Sequence, residues 1–105
     1  MKRQKTYFIY IMASSSGTLY IGISSRLEGR TQDHKNGVYE GFSKKYRTDR
    51  LVYFERYSEV GVALAREEQL KNWRREKKIK LIASMNPSWK DLSKEDTTPV
   101  PIFKK

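Results

Sequence analysis

The chain has 105 residues, 37% hydrophobic and 32% charged, with mean hydropathy −0.80, which favours one domain with a small core and is polar for a globular domain without being so polar that disorder is required. It has no cysteine, so disulfides and thiolate metal clusters are excluded and a reducing, cytoplasmic setting is expected. The net charge of +10 and pI near 9.9 favour a polyanionic partner, nucleic acid first, through phosphate neutralisation and counterion release.

The opening stretch, MKRQKTYFIYIMASSSG, has a basic head and an apolar run from Tyr7 to Ala13. The run is short for a signal peptide and has no clean cleavage region, so it reads as a first strand over 6–12. No stretch is long enough to span a bilayer, and no membrane partner is expected. ASSSG is a turn ending in Gly17, and TLYIGI (18–23) is a second strand; the short turn makes the two an antiparallel hairpin. Ser24 or Ser25 caps a helix over 26–36, closed by Gly37. GVYEGFSKKYRTDR (37–50) reads as a loop with a short helical turn, and LVYFERY (51–57) as a third strand. Ser58 to Gly61 opens a long helical stretch, broken into two helices near Trp73–Arg75 and ended by Asn86-Pro87. SWKDL can dock back through Trp89 and Leu92, which places the domain at 1–92 and a flexible tail at 93–105. The order β-β-α-β-α-α predicts an α+β fold, a small three-stranded antiparallel sheet flanked by helices.

Several polar residues fall on faces that should point inward. In the helix over 26–36, Leu27 is the only large apolar residue, and Arg30, Thr31 and His34 share its face. Burying a cation and an imidazole without partners is costly, so they reach a cleft or pair with something. In the later helix, Val60, Ala63, Leu64 and Leu70 define an apolar arc; Glu67 falls near its middle and Glu68 at its edge. A carboxylate inside an apolar stripe marks a candidate site; a slightly rotated helix with Glu67 paired to a lysine is the plainer alternative. Tyr10 and Tyr20 each alternate with aliphatics on the hairpin strands, so both hydroxyls belong to the sheet face opposite those aliphatics, where ordinary packing is the usual fate of a tyrosine.

FIY (8–10), ten residues before YIG (20–22), followed by Arg30, His34 and a helix-borne Glu67, resembles the GIY-YIG nuclease domain found in homing endonucleases and at the start of one of the bacterial excinuclease proteins. More closely, LEGRTQDHKNG, GFSKKY, RLVYFERY, ALAREEQLKNWRREKKIKLI and NPSWKDL follow, in order, the short stand-alone bacterial proteins of that family. The resemblance covers about residues 6–92 and implies the same three-stranded sheet with flanking helices. Two departures stand out: Phe8 replaces the first motif's glycine, and Ile23 and Ser24 stand where some members carry a lysine. A cation for the phosphate would then come from Lys44 or Lys45.

Phosphodiester hydrolysis needs an activated water, charge neutralisation at the phosphate and help for the leaving oxygen. Glu67 supplies one inward carboxylate, which suits a single Mg2+ or Mn2+ held with waters and substrate phosphate. Arg30 can grip the scissile phosphate as a fork. A tyrosine, with an unperturbed pKa of about 10, takes a proton from water only if that value falls toward neutrality. The resemblance implies that Tyr10 or Tyr20 is this base, leaves open which, and puts His34 against the nucleophile or phosphate. The basic, aromatic-interleaved segments predict nucleic-acid contacts at Lys44, Lys45, Tyr46, Lys71, Arg74, Arg75, Lys77 and Lys78, against the alternative of a solvated helix face; Trp73 reads as core.

The expected activity is therefore a metal-dependent DNA endonuclease of low sequence specificity, acting in repair or processing. Branched, flapped or damaged DNA is preferred to RNA as partner, with a homodimer or protein partner as the route to added specificity. The competing readings are a non-catalytic DNA- or RNA-binding module of the same fold and an unrelated basic structural protein. A pure binder predicts salt-sensitive affinity with no metal requirement; a nuclease predicts cuts that vanish with chelator.

Overall fold

The computed structural model describes residues 5–27, 29, 31 and 47–93. Its element order is β1 (Tyr7–Ala13), β2 (Leu19–Ser24), β3 (Arg50–Tyr57), α1 (Val60–Lys71) and α2 (Arg75–Met85). Leu27, Gly29 and Thr31 are helical between β2 and β3. The strands form one antiparallel sheet in the order β2-β1-β3. This is the α+β architecture expected from the order of apolar runs, with strand bounds displaced by about one residue, the usual uncertainty at element ends. The flexible tail assigned to 93–105 lies, beyond Ser93, outside the described residues.

Strand alternation divides the core in two. Ile9, Ile11 and Ala13 of β1 join Ile21, Val52 and Tyr53 on the face covered by Ala63, Leu70 and Ile82 of the two helices. Tyr10 and Met12 of β1 join Leu51 and Leu27 on the other face, with Phe8, Tyr20 and Phe54 packed against them. The register jumps between Ile11↔Tyr53 and Met12↔Leu51, so Val52 is the extra residue of a β-bulge. That bulge lets Val52 and Tyr53 both face the helices while Leu51 and Phe54 face the tyrosines.

The hairpin turn is fixed by its serines. Ser14 Oγ accepts from Thr18 N–H at 2.9 Å and lies 2.9 Å from Ser16 Oγ, and Gly17 takes φ +94°, a value cheap for glycine alone. Beyond α2 the chain turns back over the edge of β3. Asn86 Nδ2 donates to the carbonyls of bulged Val52 (3.1 Å) and Lys90 (2.7 Å), and its Oδ1 accepts from Lys90 N–H at 3.0 Å. Leu92 N–H then donates to Leu51 O at 2.7 Å. With Trp89 on the helix face and Leu92 on the tyrosine face, residues 86–92 wrap the strand edge that would otherwise invite pairing. No helix among the described residues is long and apolar enough to cross a membrane.

Candidate active site

The two tyrosines of the hairpin meet over a glycine. Tyr10 pairs with Gly22 and Tyr20 with Met12 across the β1–β2 ladder. The Tyr10 ring lies over Gly22 so closely that a Cβ there would stand 2.5 Å from Tyr10 Oη and 3.0 Å from Tyr20 Cε1. The absent side chain therefore opens a path by which Tyr10 reaches across β2, carrying its hydroxyl from the middle strand toward the sheet edge. Its ring centroid is 6.3 Å from that of Tyr20, tilted by 33°. Tyr10 is 2% exposed and Tyr20 half-buried. Phe8, the departure in the first motif, packs edge-on against Phe54 (6.4 Å) and under the guanidinium of Arg56 (6.0 Å), so the larger side chain fills the tyrosine-side core.

The helix that follows β2 starts as its sequence predicts. Ser24 Oγ accepts from Arg26 N–H at 2.8 Å, and Leu27 and Thr31 are both buried. Thr31 hides its hydroxyl by donating to Leu27 O at 2.9 Å. The inward stripe of Leu27 and Thr31 is thus the observed one. Arg30 and His34, expected on that stripe, lie outside the described residues, as do Lys44, Lys45 and Tyr46.

Glu67 stands on the other side of the sheet. The apolar arc of α1 is narrower than its sequence suggests: Ala63 and Leu70 are fully buried, while Val60 and Leu64 are 47% and 49% exposed. Arg66 and Glu67, 100° apart around the helix, flank this thin stripe. Arg66 is tied to β3, so Glu67 belongs to the flank turned away from β3. Its carboxylate is 16% exposed and 3.2 Å from Lys71 Nζ, the plain lysine pairing that the sequence allowed, here combined with a place beside the stripe. Tyr10 and Tyr20 and the helix α1 therefore occupy opposite faces of the sheet, and these three residues do not share one sheet–helix interface. A ligand touching both sets would pass around the edge of β2. Among the described residues no cluster of three or more His, Cys, Asp and Glu could hold a metal. A single carboxylate such as Glu67 suits a hard cation that keeps most of its waters and shares a phosphate oxygen, as Mg2+ does.

The basic residues gather where α1 meets α2. Lys71, Arg74, Arg75 and Lys77 are exposed and Lys78 half-buried. Lys77 Nζ stands 4.3 Å from the Trp73 ring centroid, a cation–π contact, and Lys78 Nζ reaches Lys71 O at 3.5 Å. Arg75 lies over the hairpin turn, its guanidinium 2.9 Å from where a Cβ at Gly17 would be. Trp73, expected in the core, packs against it half-buried.

One cluster was not anticipated. On β3, Tyr53 and Tyr57 donate to the Glu55 carboxylate at 2.5 and 2.6 Å. Arg66 donates to it from Nε (3.0 Å) and Nη2 (2.9 Å). Burial pushes the Glu55 pKa up, but the hydrogen bonds from Arg66, Tyr53 and Tyr57 outweigh it and hold the group below its ordinary value. Burial first, then the Glu55 bonds, raise both tyrosines. The spacing Tyr-x-Glu-x-Tyr was the available signal: period 2 puts all three side chains on one face.

Comparison with known proteins decides the family. The model of the GIY-YIG catalytic domain matches residues 6–80. The chain belongs to the GIY-YIG nuclease family. UPF0213 proteins from Staphylococcus aureus strains Mu3 and N315 are each 36% identical over 77 residues, covering 73% of this chain and 94% of theirs. The GIY-YIG domain is thus shared with short stand-alone proteins. The solution structure of a UPF0213 protein from Bacillus halodurans superposes with TM-score 0.54 at 21% identity, covering 82% of this chain and 92% of that one, and shares the fold. The GIY-YIG match ends at residue 80, short of the Asn86–Leu92 wrap.

Proposed function

We propose that this chain is a metal-dependent endonuclease that hydrolyses phosphodiester bonds of DNA in the cytoplasm, with low sequence preference, in repair or processing. The observation that carries the reading is the fit of Tyr10 over Gly22. A glycine inside a strand costs about 0.5–1 kcal/mol in backbone entropy and leaves a gap in the sheet. Here the gap admits a tyrosine hydroxyl that reaches from the middle strand toward the edge strand β2, in a chain whose family cuts nucleic acid.

Each group then has a task. Glu67 would hold a divalent cation, Mg2+ or Mn2+, which when bound supplies positive charge to the scissile phosphate. Arg30 grips that phosphate and stabilises the charge that builds as water adds to phosphorus. Tyr10 or Tyr20, as the phenolate, takes the proton of the attacking water and becomes the neutral phenol, and His34 orients the water or the phosphate. The P–O ester bond breaks as the new P–O bond forms, and the leaving oxygen takes a proton from solvent water. Lys71, Arg74, Arg75, Lys77 and Lys78 hold the flanking backbone, a role that discriminates poorly among sequences because phosphates are alike.

The test is cleavage of supercoiled plasmid, single strands, flaps and branched DNA with Mg2+ or Mn2+, beside an Arg30→Ala/Glu67→Gln double variant. Cleavage lost in the variant and with chelator is the expected result. Equal, salt-sensitive binding by both proteins without any cutting would overturn it in favour of the binding module.

A further inference from the structure

We infer that Glu55 and Arg66 are positioning residues for Glu67: their fork sets the roll of α1 about its own axis, and with it the place of the Glu67 carboxylate. The inference rests on the nuclease reading above and deepens it.

The fully buried residues of α1 are Ala63 and Leu70. They are seven residues apart, two helical turns, and therefore lie on one line. A helix seated along a line resists translation and tilt but is weakly held against roll. Residues on both sides of the line normally supply that resistance. Here Val60 and Leu64 are half exposed, and the N-cap residue Glu59 makes no side-chain cap bond. Lys71 pairs with Glu67 along the same helix, so that contact turns with α1 and cannot stop it.

Arg66 is the lateral stop. Its Nε and Nη2 grip both oxygens of Glu55 on β3. Glu55 is itself immobilised by the two tyrosine hydroxyls. The remaining arm of the guanidinium donates from Nη1 to Gln69 Oε1 at 2.7 Å, and its Cζ lies 5.1 Å from the Trp73 ring centroid. The pair with Glu55 is bidentate, and such a pair fixes direction as well as distance. Glu67 is the next residue in the chain, so whatever fixes the azimuth of Arg66 fixes that of Glu67. A roll of about 20° carries a side-chain terminus by about 2 Å, beyond the roughly 0.5 Å tolerance of a catalytic arrangement.

The conservative variants Arg66→Lys, which keeps the charge and loses the fork, and Glu55→Gln separate this role from general support. Three readouts decide. The phase of backbone dipolar couplings along residues 60–71, relative to the sheet, reports the roll and is expected to shift in both variants while they remain folded. Mn2+ affinity is expected to weaken by about tenfold, as when a second-layer partner of a metal ligand is lost. For cleavage, kcat is expected to fall by about tenfold or more with KM unchanged, and in a Glu67→Gln background the added Arg66→Lys change should cost nothing further in Mn2+ binding. A folded Arg66→Lys protein with unshifted dipolar phase overturns the inference, as does an Arg66→Lys effect on Mn2+ that persists without Glu67. Wild-type protein that cuts nothing would remove the nuclease reading instead, and the dipolar phase would still judge the clamp.

Discussion

At Gly22 a single methyl group decides between two arrangements of the hairpin. Added there, it would meet Tyr10 Oη at 2.5 Å and Tyr20 Cε1 at 3.0 Å, so the rings must move or the strands part. Gly22→Ala should destabilise the protein by about 1–3 kcal/mol, the usual cost of overpacking, read from the urea midpoint, and should abolish cleavage. An alanine variant as stable as its parent would refute the steric account. Tyr10→Phe and Tyr20→Phe divide the remaining question, because each removes one hydroxyl and keeps its ring: the variant that loses kcat while binding DNA normally identifies the base. Glu55 gives a pH signature at the same scale. Its folded-state pKa lies below its ordinary value of 4.5, so its stabilisation is complete above about pH 4.5 and is lost as pH falls through the depressed value. Tyr53 and Tyr57 are raised above 10.0, so their part is complete below about pH 10 and is lost as pH rises beyond it. Chemical denaturation across pH should therefore show a fall at each end; Glu55→Gln should remove its part of the acid fall and only reduce the alkaline one, because burial is the main cause that raises the two tyrosines, and an unchanged acid slope in that variant would contradict the network.

Among the elements, β3 depends most on what wraps it. The carbonyl of its bulged residue Val52 is buried and accepts from Asn86 Nδ2. Asn86 is buried and satisfied on both ends of its amide. Asn86→Ala removes these bonds and leaves a buried carbonyl unpaired, at a cost of about 1–3 kcal/mol; thermal unfolding measures it, and a change below about 0.5 kcal/mol, the ordinary range for surface substitutions, would show that water replaces the amide. The wrap also explains why Trp89 holds φ +57°, rare for a bulky residue: its N–H is bonded to Asn86 O at 3.0 Å and its ring packs on the helix-side core, which offsets the backbone strain.

For the whole molecule, charge and geometry make separate predictions. The α1–α2 junction should govern affinity through phosphates alone. Replacing Arg74, Arg75 or Lys77 by Ala should each lower the slope of log K against log salt by about 0.7–0.9, uniformly across DNA sequences. Fluorescence anisotropy at several salt concentrations measures it, and unaltered slopes would reduce the junction to a solvated face. The same changes should leave kcat at saturating DNA nearly intact, since none of these residues is assigned to the reacting phosphate.

The sequence by itself determined the strands, the inward stripe of Leu27 and Thr31, the two helices broken near Trp73–Arg75 and the GIY-YIG family, because periodicity and motif order are local properties of the chain. It also placed both tyrosines on one face, since alternation along a strand needs no tertiary knowledge. Only the tertiary structure decided that α1 covers the opposite face, that its arc narrows to Ala63 and Leu70, and that Arg66 turns back to Glu55. A helical wheel reports which residues share a face, but the azimuth that face adopts depends on partners eleven residues or more away in the chain, here a carboxylate between two tyrosines. The close seat of the Tyr10 ring over Gly22 was likewise hidden, because a glycine in a strand has many uses and only the neighbouring ring shows which one applies.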